Sequence, residues 1–132
     1  MTTLLQIQQI QHTRRVPVTV IQLTGELDAS TYMQFQTEFQ QAIEAGARYL
    51  LLDLSQLRYI SSAGLRSLYT LSKALAAKGG TAGVSDMSSG AFKSPFLKLL
   101  NPSPNVHAAL DVMGFNMSME IYNDLNEALG SF

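Results

Sequence analysis

Apolar and polar residues trade places along this chain with two periods, and the switches between them outline the elements. Leu4 to Ile10 alternates and predicts an edge strand, and His12-Thr13-Arg14-Arg15 predicts a polar turn. Val16 to Leu23 alternates again, with Val16, Val18 and Val20 on one face, and Pro17 suits a strand start or an edge. Gly25-Glu26-Leu27-Asp28 closes that strand. Asp28 or Ser30 is then placed to cap a helix running to about Ala45, with Tyr32, Phe35, Phe39 and Ile43 on one face and Gly46 as its stop.

Tyr49 to Leu54 is nearly continuous apolar sequence, the pattern of a central strand covered on both faces. A short turn follows, then a helix from near Ser62 to Gly79-Gly80. Its predicted stripe is Leu65, Leu68, Tyr69, Ser72, Leu75 and Ala76, and Lys78 falls in the last turn, where a cation is favoured. Thr81 to Pro95 is irregular and reads as a long loop. Phe96 to Leu100 reads as a short buried strand, and Asn101-Pro102-Ser103-Pro104 as a turn. The next helix is expected to turn Val106, Ala109, Leu110 and Met113 to the core and to stop at Gly114-Phe115. Met117 to Tyr122 predicts a last strand, and Asn123 or Asp124 caps a last helix bearing Leu125, Ala128 and Leu129.

The order ββαβαβαβα implies an α/β fold. The sheet is expected to be mixed but mainly parallel, with about five strands and four helices, and with the first hairpin as its antiparallel part. The length of 132 residues suits one domain, and no internal repeat is visible.

Composition narrows the function classes. The chain holds nine Lys and Arg against ten Asp and Glu, a net charge of −1 that offers no basic face for direct nucleic-acid binding. It has no cysteine, which removes disulfides and thiolate metal sites. No signal pattern opens it and no apolar run approaches a membrane span, so a soluble cytoplasmic protein without membrane insertion is expected.

The most informative stretch is Leu50 to Leu54 followed by Tyr59-Ile60-Ser61-Ser62-Ala63-Gly64-Leu65. It places two serines at the mouth of a helix. A helix start carries unpaired N–H groups and partial positive charge, so a hydroxyl there caps well and a phosphate is well accommodated. Either serine can be a plain cap or a modifiable hydroxyl. In a parallel sheet the loops after Leu23 and after Leu54 fall at the same end, so Asp28 and Ser62 are expected as neighbours. Gly64 costs about 1 kcal/mol of helix propensity against Ala, which points to close packing or a close approach by a partner. Catalytic readings are poor. Ser62, His107 and Asp28 have the residue types of a triad, but Gly64-Leu65 does not form a G-x-S-x-G elbow. No paired carboxylates or ligand-spaced histidines suggest a metal.

These residues also carry a resemblance. Gly25-Glu26-Leu27-Asp28, Asp53-Leu54-Ser55 and Ile60-Ser61-Ser62-Ala63-Gly64-Leu65-Arg66 resemble the STAS domain of bacterial anti-sigma factor antagonists. Asn101 to Val106 and Leu110 to Phe115 resemble that family's last strand-to-helix segment. The likeness spans nearly the whole chain, 1–132, as a single STAS domain with a loop insertion at 81–95.

The resemblance implies a protein that is not an enzyme and needs no cofactor. Its implied partners are an anti-sigma factor that is also a serine kinase, and a PP2C-type phosphatase that resets the system. The kinase would phosphorylate Ser62 and so release the antagonist. Many members carry Asp one position earlier; Ser61 stands there in this chain and is the secondary candidate. The implied docking face comprises Glu26, Asp28, Ser61, Ser62, Ala63, Gly64 and Leu65. The alternative within the same fold is a free-standing regulatory subunit of a membrane transporter, with no serine phosphorylation. The insertion of about 15 residues, Thr81 to Pro95, exceeds usual loop lengths and reads as a tolerated surface loop.

Overall fold

A computed structural model describes residues 5–78, 94–115 and 119–132. The strands are β1 (Leu5–Thr13), β2 (Pro17–Leu27), β3 (Leu50–Ile60), β4 (Leu97–Leu100) and β5 (Ile121–Tyr122). The described helices are α1 (Tyr32–Glu44), α2 (Ser62–Lys78), α3 (Pro104–Val112) and α4 (Leu125–Gly130). The five strands form one sheet in the order β1-β2-β3-β4-β5. β1 pairs antiparallel with β2, and every later pair is parallel. This is the mixed α/β sheet that the alternation of periods implied.

Both faces of the sheet are covered, unequally. α1, α2 and α3 bury Phe35, Phe39, Leu68, Leu75, Val106 and Leu110 against Leu23, Leu52, Leu54 and Leu99. On the other face the short α4 covers Val18, Val20, Leu51 and Leu100 with Ala128, Leu129 and the nearby Phe132. β3 sends Leu50, Leu52 and Leu54 to the first face and Leu51 to the second, which is why its opening residues are leucine without a break.

Several local expectations need correction. β3 does not stop at Leu54. It continues to Ile60, because Leu57 and Ile60 remain buried and still pair with Gly25 and Leu27 of β2. The pairing shifts register between Gln22 and Thr24 and again between Gly25 and Glu26, irregularities that let the two strands run on together. Met113 is not a core residue. The helix ends at Val112, and Met113 follows it more than half exposed. Tyr69 is likewise largely outside, its ring edge-on to Phe115 at 6.5 Å. Ser94 lies outside β4, as expected, but it is buried instead of on a surface loop: its Oγ accepts from the N–H groups of Phe96 and Leu97 at 3.2 and 3.3 Å. Residues 81–93 of the expected insertion lie outside the described residues, as do Met117 and Ser118 of the expected last strand.

Candidate functional site

Leu27 and Ile60 are register partners near the carboxyl ends of β2 and β3. The Ser61 N–H donates to the Leu27 carbonyl at 2.9 Å. Two loops therefore leave the sheet side by side: one runs through Asp28 into α1, and the other passes through Ser61 into α2. Parallel strands put both at one edge of the sheet, the usual place for a site in this class of fold.

The two serines have different duties. Ser61 is the cap. Its Oγ accepts from the Gly64 N–H at 3.2 Å and its carbonyl from the Leu65 N–H at 2.9 Å. Ser62 is the first residue of α2, exposed, and its hydroxyl has no hydrogen-bond partner among the described residues. The capping role that the sequence left open between the two thus falls to Ser61, and Ser62 is left with a free hydroxyl at a helix start. The Ser62 and Ala63 amides precede the first intrahelical bond and keep their donors for an outside acceptor.

Gly64 explains itself by contact. A β-carbon built on it would lie 2.8 Å from the Leu27 carbonyl oxygen, 2.9 Å from Leu27 Cγ and 3.0 Å from Ile60 Cγ1. Only a hydrogen fits, so α2 starts hard against the ends of β2 and β3. Of the expected docking residues, Gly64 and Leu65 are therefore interior. Their role is to seat the helix; the exposed or half-buried part of the set is Glu26, Asp28, Ser61, Ser62 and Ala63.

Asp28 does not cap α1. The N-cap residue is Thr31, and Asp28 sits earlier as the anchor of an Asx-type turn. Its Oδ1 accepts from the Ser30 hydroxyl at 2.7 Å and the Ser30 N–H at 2.9 Å. These bonds hold the carboxyl below its ordinary pKa of 3.8, the Ser30 hydroxyl contributing most. The carboxylate is thus committed to its own loop. Buried Thr31 completes the turn: its Oγ1 accepts from the Asp28 N–H at 2.9 Å and donates to the Glu26 carbonyl at 2.8 Å. Glu26 forms an ion pair with Arg58 at 3.6 Å, a solvent-screened contact at the rim. His107 is far from this chemistry in role: its Nδ1 lies 3.1 Å from the Asp111 carboxylate on the surface of α3.

Among the described residues no group of three or more His, Asp or Glu side chains is placed to hold a metal, and no helix is long and apolar enough to cross a membrane. A shallow, open cleft of about 440 Å³ lies between Tyr32 and Gln36 of α1 and Ala63, Arg66 and Thr70 of α2, with Ala63 following Ser62 in the chain. The arrangement offers a free hydroxyl on an open surface, and among the described residues no side chain is hydrogen-bonded to it as a base would be.

The family model described as "Mlab, STAS domain" matches residues 10–121. The chain belongs to the STAS domain family. It is 29% identical over 122 residues to a protein of Paenibacillus polymyxa named anti-sigma F factor antagonist, covering 92% of each chain. The structure of the Bacillus cell fate determinant SpoIIAA in its phosphorylated form superimposes with a TM-score of 0.64 at 25% identity, covering 95% of this chain and 97% of that one. An anti-sigma factor antagonist from Mycobacterium paratuberculosis shares the fold with a TM-score of 0.66 at 20% identity, covering 96% of this chain and 93% of that one.

One residue escaped the sequence reading. Lys98 sits in β4 among Leu97, Leu99 and Leu100 and is almost fully buried. Its Nζ donates to the Ser131 carbonyl at 2.9 Å and approaches the Ser131 Oγ at 3.0 Å and a Glu120 carboxylate oxygen at 3.7 Å. It also lies over the rings of Phe132 and Tyr122, at 4.7 and 5.8 Å. A lysine alone in an apolar strand is the signal that marks such a group.

Proposed function

We propose that this STAS domain is an anti-sigma factor antagonist, a regulatory binding protein and not an enzyme, switched by phosphorylation of Ser62. Unmodified, it binds an anti-sigma factor that is also a serine kinase, through the surface around Glu26, Asp28, Ser61, Ser62 and Ala63. Phosphorylated, it is released, and a PP2C-type phosphatase restores it. The protein acts in the cytoplasm. The observation that carries this reading is the free, exposed Ser62 hydroxyl at the first position of α2, beside a serine that already satisfies the cap.

The physics of release follows from that position. A phosphoryl group adds about 1.5 to 2 negative charges at pH 7. The start of α2 tolerates them, because the Ser62 and Ala63 amides and the helix dipole favour an anion there. The antagonist keeps its fold while the bulk and charge fall on the partner's side of the interface. A hundredfold loss of affinity needs only about 2.7 kcal/mol, within reach of one desolvated or clashing phosphate.

The test is a pull-down with the wild-type chain from its own cells, followed by ATP and magnesium and mass spectrometry. Wild type is expected to gain one phosphate on Ser62 and to leave the partner. Ser62→Ala is expected to stay bound and unmodified, and Ser62→Asp to bind poorly. Equal phosphate on wild type and Ser62→Ala would count against the reading. Recovery of a transport ATPase in place of a kinase would replace it with the transporter-subunit alternative.

A further inference from the structure

Arg66 stands four residues after Ser62 on α2, one turn along the same face. Helical side chains lean toward the helix N-terminus, so a side chain as long as that of Arg66 can reach back over the turn that holds Ser62. Arg66 is exposed and, among the described residues, has no ion pair and no hydrogen bond. The residues facing it across the cleft, Ala29, Tyr32 and Gln36, carry no charge that would compete. The Asp28 carboxylate is held in its own loop by Ser30.

We propose that Arg66 is the phosphate-holding residue of this chain: once Ser62 is phosphorylated, the Arg66 guanidinium pairs with the phosphate along the surface of α2. The proposal rests on Ser62 being the modified residue. An acid one turn before a base is the favoured order for a helical pair, and a guanidinium fork suits phosphate oxygens. The pair fastens the new charge to the helix instead of letting it swing free. The modified surface then presents a partly neutralised, bulky group at the mouth of the cleft, and the unmodified surface presents an unpaired cation there. Arg66 is thus a positioning residue that distinguishes the two states.

The test places phosphoserine at position 62 during translation in the full chain, so no kinase is needed. The second ionisation of the phosphate is followed by 31P NMR in low salt for wild type, Arg66→Ala and Arg66→Lys. In wild type the titration is expected at least about 0.2 pH units below that of Arg66→Ala, with Arg66→Lys close to wild type. Added salt at about 1 M is expected to shrink the difference. A difference below about 0.2 units between wild type and Arg66→Ala overturns the proposal. Because Arg66 is exposed, both variants without phosphate are expected to melt with the wild type. A kinase that ignores Ser62 would sink the proposed switch and leave this titration unchanged, so the two failures are distinguishable.

Discussion

The carbonyl oxygen of Leu27 sits where Gly64 has no side chain, 2.8 Å from the place of its missing β-carbon. The same oxygen receives the Ser61 N–H. One backbone atom at the end of β2 therefore sets both the cap of α2 and the depth to which that helix is seated.

Gly64→Ala tests this seating. Alanine gains about 1 kcal/mol of helix propensity at that position. It must also push against a backbone oxygen and the Leu27 and Ile60 side chains, and such overpacking costs about 1–3 kcal/mol. Urea unfolding is expected to show a net loss of stability. A variant as stable as wild type or more so would mean that α2 is not held by this contact.

The two serines should separate cleanly by stability and by modification. Ser61→Ala removes the hydroxyl that receives the Gly64 N–H and is expected to cost about 1 kcal/mol. Ser62→Ala removes a hydroxyl with no described partner and is expected to stay within about 0.5 kcal/mol of wild type. Chemical denaturation of the two variants side by side checks the order, and a larger loss for Ser62→Ala would reverse the assignment of cap and free hydroxyl.

Asp28 carries a pH signature. Its carboxyl is held below 3.8 in the folded chain by bonds that need the ionised form. Its contribution to stability is therefore present above the unfolded pKa and lost as pH falls through the lower folded value. An NMR titration of the Asp28 side chain is expected to give a midpoint below 3.8 in wild type, moving up in Ser30→Ala, where the chief donor is gone. A midpoint that ignores Ser30 would break the link between this loop and its carboxylate.

Lys98 ties α4 to the sheet. Lys98→Ala leaves the Ser131 carbonyl without its charged donor and opens a gap beneath Phe132, at a cost of about 2 kcal/mol or more. Lys98→Met keeps the aliphatic fill and is expected to lose less. Hydrogen exchange should show the loss first at Ala128 and Ser131, whose amides bond within that turn. Unchanged protection there would show that the lysine does not hold the helix.

Much of this fold was legible in the chain because its cause is local. Alternation at Val16, Val18 and Val20, the helical spacing of Phe35, Phe39 and Ile43, and the unbroken leucines of β3 each report a period that neighbouring residues impose on one another. That the loops after β2 and β3 leave the sheet side by side was legible too, since parallel strands bring their carboxyl ends to one edge. Less legible were the extension of β3 to Ile60, the exposure of Met113 and the burial of Lys98. Each depends on what a distant segment places alongside.

By itself, the order of residues determined which stretches are strands and helices, the mixed sheet, and the pair of serines at the start of α2. Tertiary structure alone decided which serine caps and which stays free. That division turns on the Leu27 backbone meeting Ser61 and Gly64, residues more than thirty positions further along the chain. Contacts of that range obey packing and hydrogen-bond geometry, which no local period encodes.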